Sequence, residues 1–245
     1  MKNLLGRGQL AALREFVRRR VLLAFDYDGT LAPIVREPEA AAMRPRTAAL
    51  LARLAQRYPC AVISGRARAD VMKMLAGIPL RAVIGNHGME PWRGLPAARR
   101  RVAEWRGRLA RALPQSPGVF VEDKGPSLAI HYRQAQARST VRRRILSAVA
   151  ELRGARIVEG KMVVNVLPAN APNKGTALLG LCRRLRCAAT IYVGDDDNDE
   201  DAFALAGRFA VLGIRVSRRR RSQAAYFLPG QAAIDRLLAA LIGMR

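Results

Sequence analysis

The sequence predicts an α/β protein: a doubly wound parallel sheet of the Rossmann type, with a smaller α/β cap domain inserted into it. Two observations carry this prediction. Short apolar runs alternate with helical segments through most of the chain, and this pattern changes between about residues 91 and 168. A length of 245 residues suits one large or two small domains. We expect residues 1–91 and 167–245 to form the core and residues 92–166 to form the cap.

The core elements follow from apolar runs and from the residues that bound them. Val21–Phe25 is a short continuous apolar run, which is typical of a strand buried on both faces of a parallel sheet. Arg44–Tyr58 has apolar residues at helical spacing, with Pro45 early and Pro59 just beyond its end. The other predicted core strands are Cys60–Ser64, Ala82–Gly85, Thr190–Val193 and Phe209–Leu212, and the other helices are Ala69–Ala76, Lys174–Leu185, Ala202–Ala206 and Ala232–Leu241.

The inserted segment has a different periodicity. Leu128, Ile130 and Tyr132 alternate with Ala129 and His131, which predicts a sheet with one covered and one open face. The predicted elements of the insert are helix Ala97–Leu113, loop Pro114–Gly118, strands Val119–Glu122 and Ser127–Arg133, helix Thr140–Leu152, and strands Arg156–Glu159 and Met162–Val166.

Composition excludes several classes of protein. The chain has 43 Lys+Arg against 19 Asp+Glu, but 38 of the basic residues are Arg and they are dispersed along an Ala-rich chain. We interpret the net charge of +24 as a bias in Arg usage, and 5% aromatic residues are too few for a base-stacking surface. No apolar run reaches 18 residues, so no membrane span is expected.

The cysteines and the first residues predict a cytoplasmic protein. Three cysteines, Cys60, Cys182 and Cys187, fit reduced thiols better than a disulfide framework. The first 20 residues mix Leu with several Arg and lack the uninterrupted apolar region of a signal peptide.

The acidic residues are concentrated in two places. Eight of the 19 follow predicted strands, and they are Asp26, Asp28, Asp195, Asp196, Asp197, Asp199, Glu200 and Asp201. Clustered carboxylates repel one another unless a cation or a shared proton compensates. Because these are hard oxygen ligands without a nearby His or Cys, the expected metal is Mg²⁺. An EF-hand loop is excluded, since Glu200 would replace its glycine.

Three further features suit phosphoryl chemistry. In Asp26-Tyr27-Asp28-Gly29-Thr30, the two carboxylates at i and i+2 can face one pocket, where one attacks and the other handles a proton. Ser64-Gly65-Arg66 can donate hydrogen bonds to phosphate, although a plain strand-to-helix cap explains it nearly as well. Lys174-Gly175 opens a helix and can form an anion site, although a solvated lysine is an equal alternative.

The order of these segments resembles that of the haloacid dehalogenase-like (HAD) phosphatases with an inserted α/β cap. More narrowly, residues 21 to 241 resemble the trehalose-6-phosphate phosphatase family. The motifs that carry the resemblance lie at residues 25–34, 63–66, 85–90, 124–133, 160–164, 174–175 and 194–196, and they read FDYDGTLAPI, ISGR, GNHGME, KGPSLAIHYR, GKMVV, KG and GDD.

The resemblance implies a HAD core that hydrolyses trehalose 6-phosphate with Mg²⁺ through an aspartyl-phosphate. Asp26 would be the nucleophile, Asp28 the general acid and base, and Ser64 and Lys174 the phosphoryl-binding groups. Mg²⁺ would be held by Asp26, the Asp28 carbonyl and Asp195, with Asp196 and Asp199 close by. The implied substrate-binding residues are Thr30, Gly65, Arg66, His87, Glu90, Lys124, Ser127, His131, Arg133, Lys161 and Asn165. The expected partner is a small-molecule sugar phosphate, with no nucleic acid or membrane, and the expected state is a monomer.

The chain departs from the family pattern at a few positions. Where the family has Glu and then a basic residue before proline, this chain has Asn165 and Leu167, and Asn198 replaces a usual Thr. Because those family residues are expected to meet the sugar, the alternative is a HAD phosphatase for another sugar or pseudo-disaccharide phosphate. Two further hypotheses are a basic nucleic-acid binder on an inactive fold, which the intact carboxylates oppose, and a structural partner of a synthase.

Overall fold

A computed structural model describes residues 1–35, 40–113 and 117–244. The chain forms two compact units, Met1–Gly88 with Asn173–Arg245 and Met89–Pro172, which we call the larger and the smaller unit. Residues 114–116 of the predicted loop Pro114–Gly118 lie outside the described residues. The predicted cap boundaries, 92 and 166, stay a prediction.

The elements are as follows in chain order. The strands are β1 (Lys2–Asn3), β2 (Val21–Phe25), β3 (Cys60–Ile63), β4 (Ala82–Ile84), β5 (Phe120–Asp123), β6 (Leu128–His131), β7 (Ala155–Gly160), β8 (Val163–Pro168), β9 (Ala189–Gly194), β10 (Val211–Val216) and β11 (Tyr226–Leu228). The helices are α1 (Ala11–Val17), α2 (Pro45–Arg57), α3 (Arg68–Met74), α4 (Leu95–Ala112), α5 (Arg138–Ala150), α6 (Lys174–Arg184), α7 (Glu200–Phe203) and α8 (Ile234–Ile242).

The larger unit is built on a seven-stranded sheet in the order β1-β11-β10-β9-β2-β3-β4, with every pair parallel. Val21, Leu23 and Phe25 of β2 pack in a core with α1, α2, α3 and α8, whereas Leu22 and Ala24 pack in a second core with α6 and α7. Helices therefore cover both faces, which confirms the predicted fold class. A sheet covered in this way leaves its strand ends as the places for polar chemistry.

Two regions of the larger unit differ from the prediction. The elements β1, α1 and β11 were not predicted; β1 and β11 have only two and three residues, too few to show a periodicity. The strand predicted at Phe209–Leu212 begins later and runs further, over Val211–Val216. Phe209 is 42% exposed, and the strand instead includes the charged Arg215.

The smaller unit has a four-stranded antiparallel sheet in the order β5-β6-β8-β7. Helices α4 and α5 cover one face, where Trp105 and Val149 pack against Leu128 and Ile130 of β6. By alternation, the opposite face carries Glu122 of β5, His131 of β6 and Asn165 of β8. Among the described residues of both units, the structure contains no helix with the length and hydropathy that a bilayer span requires.

Candidate active site

Three predicted site residues lie at one edge of the parallel sheet. Asp26, Ser64 and Asp195 each directly follow the last residue of a strand, in β2, β3 and β9. Since these strands are neighbours and parallel, their carboxyl ends meet at the same edge. The backbone N–H of Asp26 donates to Val193 O at 2.8 Å, which fixes the turn after β2 against β9.

Lys174 is the centre of a buried ion cluster at this edge. Its Nζ lies 2.9 Å from Asp26 Oδ1 and 2.7 Å from Asp199 Oδ1, and the residue is only 1% exposed. Helix α6 starts at Lys174 because Asn173 and Thr176 form a reciprocal capping box, in which each side chain accepts from the other's backbone N–H. Buried charges of this kind are tolerated when they are paired and hydrogen-bonded.

Asp199 accepts hydrogen bonds on both carboxylate oxygens. Oδ1 accepts from Lys174 Nζ and from the Tyr192 hydroxyl, both at 2.7 Å. Oδ2 accepts from the backbone N–H groups of Asp195 and Asp196, both at 2.9 Å. These four donors fill the usual acceptor capacity of a carboxylate. Asp199 therefore fixes the Asp195–Asp196 backbone to Lys174.

The donors at this edge fit a divalent cation. Carboxylate oxygens of Asp26, Asp195 and Asp199 lie within 4.8 Å of one another, while Asp196 is outside this group of described residues. Gly29 has φ +79°, and a Cβ at this position would lie 2.2 Å from Asp195 Oδ2, so only glycine lets Asp195 approach the turn after β2. A set of hard oxygens suits Mg²⁺.

The charges of the cluster influence one another strongly. Burial raises the pKa of Asp26 well above its usual value; Lys174 lowers it, and Asp199 and Asp195 raise it again. For Lys174, burial lowers the pKa, but Asp199 and Asp26 outweigh burial, so its pKa is raised and the ammonium stays protonated. A cation beside Asp26 and Asp195 would relieve the repulsion that disfavours ionised Asp26.

Asp28 forms an ion pair with Arg66. The guanidinium Nε and a terminal nitrogen each lie 2.7 Å from one Asp28 oxygen, and the guanidinium carbon lies 5.9 Å from the centre of the Tyr27 ring. The backbone N–H of Arg66 also donates to Ser64 Oγ at 3.1 Å. Arg66 therefore connects the turns after β2 and β3 by a bidentate contact, which has a defined geometry.

The other predicted residues of the larger unit are buried beside these turns. His87 is 5% exposed, and its backbone N–H donates to Ser64 O at 2.9 Å. A Cβ at Gly65 would lie 2.6 Å from His87 Cε1, so the ring packs directly on the glycine. Thr30 is fully buried, and its Oγ1 has no hydrogen-bond partner among the residues that the structure describes.

The smaller unit brings two of its predicted residues to one carboxylate. His131 Nε2 lies 2.8 Å from Glu122 Oε2, and Lys124 Nζ lies 3.8 Å from the same oxygen. Arg133 donates to Lys161 O at 3.4 Å, and the buried Asn165 donates through Nδ2 to Val158 O at 3.1 Å.

Ser127, Glu90 and Leu167 are three further positions of the smaller unit. Ser127 is buried, and its carbonyl accepts from the Lys124 N–H. Glu90 is the second residue of the unit. Leu167 is fully buried in a small apolar cluster with Met89 and Ala171.

Sequence reasoning missed Arg215, Tyr192 and Glu122. Arg215 is 4% exposed and donates to Asp195 O at 2.6 Å, to Asp196 O at 3.0 Å and to Glu200 Oε1 at 2.7 Å. The sequence signal that could have found Arg215 and Tyr192 is a single polar residue within an otherwise apolar strand. A lone Arg in Val211–Val216 and a Tyr in Ala189–Gly194 must find partners when they are buried.

Comparisons with known proteins show the family of the chain. The family model described as trehalose-phosphatase matches residues 24–232. The chain is 35% identical to the trehalose-phosphate phosphatase of Mycobacterium avium over 88% of this chain and 61% of that protein. It is 37% identical to that of Mycobacterium tuberculosis over 80% of this chain and 54% of the relative. The chain thus spans roughly half to three fifths of the length of these relatives.

A solved structure shows the same fold. The C-terminal domain of Candida albicans trehalose-6-phosphate phosphatase superposes with a TM-score of 0.81 at 22% identity, covering 99% of this chain and 98% of that one. Because the family model matches most of the chain, including Asp26, Ser64, Lys174 and Asp195, the chain belongs to the trehalose-phosphatase family within the HAD superfamily.

Proposed function

We propose that this protein is a phosphatase that hydrolyses trehalose 6-phosphate to trehalose and phosphate, as the names of its relatives suggest. The observation that carries the proposal is the contact of 2.9 Å between Asp26 Oδ1 and Lys174 Nζ at the carboxyl edge of the sheet. In this contact the carboxylate of Asp26, a potential nucleophile, lies beside the ammonium group of Lys174, which can bind phosphoryl oxygens.

The proposed chemistry is a double displacement. An Asp26 oxygen attacks phosphorus, an aspartyl-phosphate forms, and the bond between phosphorus and the sugar oxygen breaks. Asp28, protonated on one oxygen while Arg66 holds the other, gives this proton to the departing sugar oxygen. It then takes a proton from the water that attacks the aspartyl-phosphate, which restores Asp26 and releases inorganic phosphate. Lys174 and Ser64 would hold the phosphoryl oxygens during both steps.

The proposed metal residues are Asp26, Asp195 and the Asp28 carbonyl. When bound, Mg²⁺ would supply the positive charge that lets a phosphate dianion approach two carboxylates. We assign Asp199 and Arg215 to the support of this loop, because one accepts from the Asp195 and Asp196 N–H groups and the other donates to their carbonyls.

The proposed sugar-binding residues lie in the smaller unit. Lys124 and His131 share Glu122 as a partner, so these three groups form one polar cluster on the sheet face that α4 and α5 leave uncovered. Ser127, Arg133, Lys161, Asn165 and Glu90 are the other proposed contacts of this unit. In the larger unit, the proposed substrate-binding residues are Thr30, Gly65, Arg66 and His87.

Phosphate release from trehalose 6-phosphate with Mg²⁺ tests the proposal. Asp26→Asn should lower kcat by at least about 10⁴-fold, because the nucleophile is lost. The matched control is Asp235→Asn, which removes another buried carboxylate of the larger unit, one that accepts from Thr47 Oγ1 at 2.6 Å. The control should keep its kcat. Mg²⁺-dependent turnover in folded Asp26→Asn would refute the assignment of the nucleophile.

A second candidate substrate class is another sugar or pseudo-disaccharide phosphate. It is favoured by Asn165, whose amide is bonded to the Val158 carbonyl, and by Leu167, which is fully buried. Neither position presents a charge to a sugar. A panel of sugar phosphates separates the two, since hydrolysis of trehalose 6-phosphate no faster than that of glucose 6-phosphate would favour the second candidate.

A further inference from the structure

A polar cavity lies in the larger unit, at the amino edge of the parallel sheet. It has a volume of about 980 Å³, and small-molecule sites span about 300–1,000 Å³. Helix α1 ends beside it at Val17, and the residues that follow α2 and α6, Tyr58 and Leu185, also line it. Strand β2 separates it from the carboxyl edge, and five residues of strand extend about 16 Å.

Arginine dominates the lining of this cavity. Six arginines contribute, namely Arg18, Arg19, Arg20, Arg81, Arg184 and Arg186. Arg19 pairs with the exposed Glu15 at 3.1 Å. The other five have no carboxylate within ion-pair distance in the part of the chain that the structure describes, and none of its described lining residues is acidic. By contrast, Arg66, Arg142 and Arg215 each contact a carboxylate.

The negative partial charges of the helix ends compensate for only part of this positive charge. The carboxyl terminus of a helix acts like about −0.5 of an elementary charge, so three helix ends supply at most about −1.5. Glu15 adds one further negative charge. Against six guanidinium groups, this leaves an excess of roughly three to four positive charges around one concavity.

The backbone at Arg186 gives an independent observation. Arg186 follows the end of α6 with φ 52°, in the left-handed region, and its N–H donates to Arg183 O at 3.1 Å. Glycine is the favoured residue at such a helix terminus. The chain instead places a cationic side chain there, at the rim of the cavity.

We propose that this cavity binds a compact anion that contains a triphosphate chain. Such a chain carries three to four negative charges, which match the excess, and guanidinium groups bind phosphate oxygens through paired N–H donors. A concave site ringed by arginines favours a small anion over a nucleic-acid backbone, which needs a basic stripe along a surface. The anion is inorganic triphosphate or the triphosphate group of a nucleotide.

Calorimetric titration of the full chain with sodium triphosphate, in EDTA and 0.15 M salt, tests the site. Arg81→Ser with Arg186→Gly removes two charges and gives the backbone at residue 186 its favoured residue. The Kd should rise by about tenfold or more. The control, Arg143→Ser with Arg144→Ser, removes two exposed charges from α5 in the smaller unit. Its Kd should change by less than about twofold, because neither arginine lines the cavity.

Several outcomes would overturn the proposal: no binding to the wild-type chain, equal weakening by both variants, or weakening by neither. Lys174 is intact in both variants, so triphosphate held at the carboxyl edge contributes equally to each. If the first variant fails to fold, Arg18→Ser with Arg20→Ser replaces it. Adenosine triphosphate binding more tightly than inorganic triphosphate identifies the nucleotide as source, and equal binding identifies the bare chain. Tighter retention of a duplex DNA through the same arginines would overturn the small-anion assignment.

Discussion

Charged residues are buried and paired at one edge of the parallel sheet in the larger unit, and exposed at the other edge. At the carboxyl edge, Lys174, Asp26 and Asp199 are buried and in direct contact, at 2.7 and 2.9 Å. At the amino edge, six arginines are exposed, and among the described residues only Arg19 has a carboxylate partner. A buried charge is tolerated only when it is paired, whereas an exposed charge needs no partner. The fold of this chain therefore depends on its buried, paired charges and not on its net charge.

The most severe test of this comparison removes the cation of the buried cluster. Lys174→Met leaves Asp26 and Asp199 buried without their common partner. We expect loss of phosphatase activity and a decrease of about 3–5 kcal/mol in the free energy of unfolding, measured by urea denaturation. Lys73→Met, in the exposed last turn of α3, is the control and should be nearly neutral. A decrease below about 1 kcal/mol for Lys174→Met would mean that the cluster is not a constraint.

The next test concerns an ion pair that is only partly buried. Arg66→Ala frees Asp28 from its bidentate contact, in which the Asp28 side chain is 35% exposed. If Asp28 is the proton donor and acceptor, kcat should fall by about 10²-fold while KM changes less, because the carboxyl group loses its orientation. Arg66→Lys should recover only part of the rate, since lysine cannot make the paired contact. An unchanged kcat in Arg66→Ala would contradict the proposed positioning.

Arg215 and Arg219 allow a buried and an exposed cation that contact the same acidic loop to be compared. Arg215→Met removes three hydrogen bonds from a residue that is 4% exposed, and should cost about 1.5–3 kcal/mol of unfolding free energy. Arg219 contacts Asp197 on the same loop, but both side chains are half exposed. Arg219→Met should cost less than about 1 kcal/mol. Equal effects of the two substitutions on urea midpoints would argue against the contrast.

The smallest expected effect lies at the amino edge. Arg186→Gly should stabilise the chain by about 1 kcal/mol, because glycine adopts the left-handed backbone without the steric cost that other residues have. Arg183→Gly, inside the last turn of α6, should destabilise it by a similar amount. Thermal unfolding of both variants measures these shifts, and destabilisation by Arg186→Gly would show that its side chain supports the fold.

Sequence reasoning placed two candidate site residues correctly at the ends of strands, because uninterrupted apolar runs mark those ends. Val21–Phe25 and Cys60–Ile63 are uninterrupted, so Asp26 and Ser64 could be placed at the sheet edge before any contact was known. The same criterion failed at Arg215, because the apolar run was taken to end at Leu212, before Gly213, whereas the strand continues and the Arg215 guanidinium is buried against backbone carbonyls 19 and 20 residues away. Such partners are set by the pairing of β9 with β10, which no local pattern records.

The environments of Asn165 and Leu167 also lay beyond the sequence. Both stand on β8, and alternation places them on the same sheet face. Asn165 bonds across to β7, while Leu167 joins Met89 and Ala171, which come from segments far apart in the chain. The sequence shows only that they differ from the family pattern.

The ammonium group of Lys174 has more N–H donors than acceptors in its ion cluster. An ammonium group carries three, and Asp26 and Asp199 account for two of them. The described part of the chain offers no acceptor to the third. Arginine, with five donors in a rigid plane, would not reproduce this stoichiometry. In a chain with 38 Arg and 5 Lys, this position holds a lysine with one donor left over, and the proposed binding of a phosphoryl oxygen would use that donor.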